Sequence, residues 1–170
     1  MAIRHFNITG ELTQQLLAAG DNIGVSSISL ANTDSLHNGI VDLYIEKKLT
    51  GKFYLLKNVV IPPGVTLIHD VLGFDNGKDQ FSMYVKLTKT TLFTLTGAIN
   101  PIASTTITGV GTKFVEELSV GDEIIVSSET RTVSAISSDT SLTVSVATTN
   151  TANDTSPDCN PVAPIDIILK

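Results

Sequence analysis

The chain has 170 residues and a formal net charge of −6, with 11 Lys and Arg against 17 Asp and Glu. So acidic a balance excludes a phosphate-binding groove as its main feature, because affinity for nucleic acid rests on Lys and Arg neutralising phosphates. Charged residues make up only 16%, below the roughly 25% of an average soluble domain, and a surface so poor in charge is the kind that neighbouring subunits cover.

The single cysteine, Cys159, excludes an internal disulfide and any structural zinc site built on two or more thiolates of this chain. No cofactor or metal is expected. The opening Met1–His5 lacks the apolar run of a secretory signal, and no window reaches the roughly 18 apolar residues of a membrane span. The expectation is a product of the cytoplasm with no membrane partner. Asn7-Ile8-Thr9 and Asn153-Asp154-Thr155 match the N-glycosylation pattern, which has no meaning without secretion.

Composition changes near residue 96. All His and Tyr and five of the six Phe precede it, whereas Phe114 is the only aromatic after it and Ser and Thr become dense. Two small domains fit this length, since domains commonly run from about 50 to 250 residues.

The first element is "ITGELTQQLLAAGDN". Thr9 as a cap, Leu12, Leu16 and Leu17 at helical spacing and Gly20 as a stop permit one short helix, and equally a strand-like arm. From Val25 the period becomes two. "SSISLAN" puts Ile28 and Leu30 on one face; "IVDLYIEKK" puts Val41, Leu43 and Ile45 inward with Asp42, Tyr44 and Glu46 outward; "QFSMYVKLT" aligns Phe81, Met83, Val85 and Leu87. These are half-buried antiparallel strands. Between them "FYLLKNVVIPPGVTLIHDVLGF" reads as two strands broken at Pro62-Pro63-Gly64, where proline removes amide donors from the ladder. Asn76-Gly77 in "FDNGKDQ" is a type I′ hairpin signal.

The second part places a strand, a turn at Gly109–Gly111 and an apolar anchor, Phe114, in "ASTTITGVGTKF". Gly121-Asp122, Glu129-Thr130 and Ser138-Asp139 then turn the chain between "EIIVSS", "RTVSAIS" and "SLTVSV". Residues 148–161 read as a polar linker. "VAPIDIILK" alternates again, and a lone strand must pair. The expected class is all-β: an immunoglobulin-like antiparallel β-sandwich over 1–95, completed by 158–170, with 96–157 inserted as a small β-barrel or meander and linker.

Few residues read as chemistry. Asp75–Asp79 departs from the calcium-loop spacing and reads as a turn. "GVGTKF" lacks the G-K-[ST] ending of a phosphate loop. His5, His37 and His69 lie far apart, and nothing in the sequence brings them together with Asp34 or Asp70. Asp122, Glu123, Glu129 and Asp139 occupy turns, where carboxylates satisfy nearby amides. Cys159, between Asp158 and Asn160, sits among acidic and polar neighbours that do not activate a thiol.

The stretch "TTITGVGTKFVEELSVGDEIIVSSETRTVSAISSDTSLTVS", Thr105–Ser145, resembles a module recurrent in tailed-bacteriophage virion proteins, through its Gly-Thr-x-Phe turn, Gly-Asp turn, Arg-Thr-Val strand and Ser-Asp-Thr-Ser-Leu-Thr-Val strand. "SISLANTDSLHNGIVDLYIEKK" with "FYLLKNVVIPPGVTLIHD" is similar to immunoglobulin-like phage proteins that decorate heads, necks or tails. The resemblance implies a non-enzymatic virion component, present in many copies as a homo-oligomer and docked on capsid, neck or tail subunits, with no catalytic residues. The candidate interface residues are Phe6, Leu16, Leu17 and Tyr44, on an arm spanning Ala2–Leu17 and on the sandwich. The alternative is a carbohydrate-binding or host-adhesion module of a tail fibre or baseplate. An enzyme built on His69 is the third reading.

Overall fold

The computed structural model describes residues 3–10, 13–47, 49–90 and 92–170, and for 78 and 79 the backbone. In chain order the elements are β1 (Arg4–Ile8), β2 (Thr13–Leu17), β3 (Gly24–Val25), β4 (Ile28–Asn32), β5 (Gly39–Lys47), β6 (Gly51–Ile61), β7 (Thr66–His69), β8 (Phe74–Asp75) and a one-turn helix α1 (Asn76–Asp79). Then come β9 (Ser82–Thr88), β10 (Phe93–Thr94), β11 (Ala98–Asn100), β12 (Thr106–Val110), a second one-turn helix α2 (Phe114–Glu117), β13 (Glu123–Val126), β14 (Glu129–Ser138), β15 (Ser141–Val144), β16 (Asp158–Asn160) and β17 (Ile165–Leu169). Every strand pairing is antiparallel. The fold is all-β.

Two compact units form, Met1–Lys89 with Ala163–Lys170, and Thr90–Val162. The first carries two four-stranded sheets, in the orders β1-β17-β4-β7 and β2-β9-β5-β6, and a small β3-β8 pair. Its core follows the period-two pattern: Ile28 and Leu30, Val41 and Leu43, Met83, Val85 and Leu87 are all buried. The final strand supplies the centre of one sheet. β17 lies between β1 and β4, with Ile167 opposite both Phe6 and Leu30, and it buries Ile165, Ile167 and Leu169. At roughly 1.5–3 kcal/mol for each fully buried side chain, this eight-residue return contributes heavily to the unit. The two sheets meet closely at Gly39, where an added Cβ would stand 2.7 Å from the Ile165 side chain. The Asn32 side-chain amide ties them by donating to the carbonyls of His37 and Ile61.

The structure decides the open reading of the opening segment in favour of strands. Leu12 lies outside the described residues, as does Ala2. Leu16 and Leu17 are both buried because a bulge between Gln15 and Leu17 shifts the register of β2 against β9. A bulge turns two successive side chains toward one face, which produces leucine spacing that also suits a helix. Asn76-Gly77 does not close a hairpin. Asp75 caps α1 by accepting from the Gly77 amide, Gln80 ends it in the left-handed conformation, and β8 pairs with β3 rather than with β9.

The second unit is one sheet in the order β10-β16-β13-β14-β15-β12-β11, open at β10 and β11 rather than closed into a barrel. β14 holds it together, pairing β13 through Glu129–Thr132 and β15 through Val133–Ser138, with register shifts near Ala135 and Ser138 that bend it. Phe114, Ile99, Ile107, Ile124, Val126, Leu142 and Cys159 fill its core. Gly97 is demanded by close packing: at φ +82° its missing Cβ would stand 2.6 Å from the Gly111 backbone.

Three expectations are corrected here. The segment 148–161 is not all linker, since Asp158–Asn160 pairs with both β13 and β10, and Cys159 is fully buried. That pairing draws Phe93–Thr94 and residues up to Val162 into the second unit, so the divisions fall after Lys89 and after Val162 rather than at 95 and 157. The hairpin between β13 and β14 turns at Ser127-Ser128, with φ of 50° and 68°, and Glu129 already belongs to the strand.

Candidate functional site

The outward face of the β2-β9-β5-β6 sheet gathers the chain's three tyrosine rings. Alternation in β5 points Asp42, Tyr44 and Glu46 away from the core, and register places Tyr84 on one side of Tyr44 and Tyr54 on the other. The rings form a row across three strands: Tyr44 and Tyr84 stack at 5.4 Å and 20°, and Tyr44 and Tyr54 tilt at 5.5 Å and 51°. Offset and tilted ring pairs contribute about 0.5–1.5 kcal/mol each beyond the area they bury. Gln15 on β2 extends the row by donating to the Tyr84 hydroxyl at 3.3 Å.

Lysines cover this row. Lys52 Nζ stands 4.6 Å from the centre of the Tyr44 ring and donates to its hydroxyl at 3.4 Å. Lys57 Nζ lies 4.5 Å from the Tyr54 ring and 2.6 Å from Asp42 Oδ2. A cation over an aromatic face is attracted by the ring quadrupole. Both ammonium groups titrate above their usual range: Lys52 chiefly through its Tyr44 hydrogen bond, Lys57 chiefly through its Asp42 hydrogen bond. The second Asp42 oxygen accepts from the Asn58 amide at 2.7 Å, with Asn58 itself at φ 51° where the β5–β6 register shifts. Tyr44 and Asp42, outward by pattern, are therefore only 4% exposed.

At the end of the row a hollow of about 490 Å³ is lined by Ala19, Glu46, Lys47, Gln80, Ser82 and Tyr84. Ser82 Oγ accepts from the Ala19 amide at 3.1 Å, and Lys47 Nζ lies 5.6 Å from the Phe81 ring.

Of the four residues expected to dock partners, Leu16, Leu17 and Tyr44 are covered within the chain, the leucines by the bulge and the tyrosine by its aromatic and lysine neighbours. Phe6 is half-buried on β1, an edge strand, beside His5 and Asp166. The histidines stay apart: His5 is exposed on β1 and His69 half-buried on β7, but His37 does reach Asp34, with Nδ1 3.4 Å from Oδ2. Asp34 Oδ1 accepts the amides of Leu36 and His37, so the same carboxylate shapes the loop between β4 and β5.

The carboxylates that the sequence places at turns of the second unit are held by local donors. Glu129 accepts from the Thr149 hydroxyl and amide, the Asn150 amide and Arg131, and these, the Thr149 hydroxyl first, hold it below the usual carboxylate range. Asp139 accepts the Val115 amide at the start of α2, and Asp122 the Ser119 amide.

The sequence reading missed the tyrosine row. Tyr44, Tyr54 and Tyr84 are each outward on an alternating strand, but their meeting depends on the β5–β9 register, which is regular, and on the β5–β6 register, which shifts on either side of Leu43. No protein-family model, curated protein or solved structure matches this chain.

Proposed function

We propose that this chain is a non-enzymatic bacteriophage virion structural protein that docks in multiple copies on capsid, neck or tail subunits. The supporting observation is a run of six exposed large apolar side chains between Phe53 and Val71: Phe53, Tyr54, Val60, Val65, Ile68 and Val71. They lie on or beside β6 and β7, consecutive edge strands of two different sheets joined through Pro62-Pro63-Gly64. Exposed strand edges with apolar side chains are surfaces that other chains cover. Ile68 is 64% and Val71 82% exposed, and the low overall charge agrees with such covering. The resemblance of Thr105–Ser145 to a phage module is the ground for taking virion subunits as the neighbours. The test is to add purified chain to tailed particles that lack it. Wild type is expected to sediment with the particles, and a Val60→Asp/Ile68→Asp double variant of unchanged melting temperature to stay in the supernatant.

A carbohydrate-binding or host-adhesion role is the second reading, and the tyrosine row is the observation in its favour.

A further inference from the structure

We propose that the hollow beside Tyr84 is a binding subsite for a neutral pyranose. This deepens the second reading and does not depend on the first. Its volume, about 490 Å³, falls within the roughly 300–1,000 Å³ typical of small-molecule clefts. Its chemistry suits a sugar: a phenol ring offers an apolar surface to ring C–H groups, while a carboxylate, an amide, a hydroxyl and an ammonium surround it to exchange hydrogen bonds with hydroxyls.

The site is built rather than incidental. Tyr84 is locked by its stack on Tyr44 and by the hydrogen bond from Gln15, so a ligand meets a surface already ordered. Gln80 ends α1 in the left-handed conformation, at φ 55°, ψ 35°, and this turn of the chain sets it in the lining of the hollow. Glu46 lies opposite Lys52 in the β5–β6 register and helps hold its ammonium protonated, and Gln80 is exposed where it lines the hollow. Charge selects the class. The lining carries one carboxylate, Glu46, and one ammonium, Lys47, so a neutral ligand meets no net charge from it.

The left-handed position also supplies a clean variant. Gln80→Gly removes the amide where glycine is at ease, so binding is lost without loss of fold. The chain has no Trp and 3 Tyr, so tyrosine fluorescence reports on this face directly. The probes are the neutral tetrasaccharides of glucose (α- and β-linked), galactose and mannose, with a galacturonate tetrasaccharide as contrast. Saturable binding of at least one neutral probe is expected, weakened at least about tenfold in Gln80→Gly and in Glu46→Gln, with melting temperatures equal to or above wild type for Gln80→Gly. Absence of binding by all neutral probes, equal binding by both variants, or preference for the galacturonate overturns the proposal. The Val60→Asp/Ile68→Asp variant is expected to keep sugar binding, which separates this result from the docking test.

Discussion

Ser127 and Ser128 show how a residue departs from the rule that its neighbours obey. Both occupy the left-handed region at a two-residue hairpin turn, a place where Asn-Gly is preferred, and a Ser-Ser pair carries no such turn signal. Replacing Ser128, at φ 68°, by Gly is expected to raise stability by about 0.5–1 kcal/mol in urea unfolding through relief of strain, with Ser127 kept because its hydroxyl donates to the Ala152 carbonyl at 2.7 Å. Cys159 was hidden for a different reason: "SPDCNP" has the composition of a loop, and only its pairing with β13 and β10 makes it core. Its thiol is expected to resist aromatic disulfide reagents in the native state and to react at once in denaturant; rapid native labelling would contradict its burial. Glu129 carries a pH signature. Its folded-state pKa lies below the ordinary 4.5, so its contribution is present above that value and is lost as pH falls through the folded pKa. Wild type is expected to outlast Glu129→Gln in thermal melts at pH 7, with the gap narrowing as the pH falls below 4.5 and closing once it passes the folded-state pKa.

At the scale of elements, alternation was legible and registry was not. Val41, Leu43, Met83, Val85 and Leu87 read as inward and are inward, because a period of two leaves an antiparallel strand only one face to bury. Asp42 and Tyr44 read as outward and are outward, yet neighbouring strands cover them, and no single strand's sequence records its neighbours. The bulge in β2 had the same effect, lending Leu16 and Leu17 a helical spacing. The terminal strand was legible because "PIDIILK" alternates and needs partners, though not its place between β1 and β4. A chain ending at Val162 leaves those two strands without their shared partner. It is expected to lose the cooperative unfolding of the first unit while that of residues 90–162 persists, as followed by circular dichroism in urea. Retention of both transitions would contradict the role given to β17.

For the whole molecule, the division into two units has a direct consequence. The ends of the second unit are tied to each other, the Thr90 amide donating to the Pro161 carbonyl at 3.1 Å, and its core of small aliphatic side chains around Phe114 is its own. Residues 90–162 are therefore expected to fold when expressed alone, with a single two-state transition. The first unit carries the tyrosine row and the two apolar edges, and recognition is proposed to lie there. The most direct measurement is co-sedimentation of wild type and Val60→Asp/Ile68→Asp with tailed particles lacking the protein. Saturable binding of wild type at many copies per particle is expected, with its loss in the equally stable variant; wild type that stays monomeric and unbound, or a variant that binds as well, would contradict the docking role.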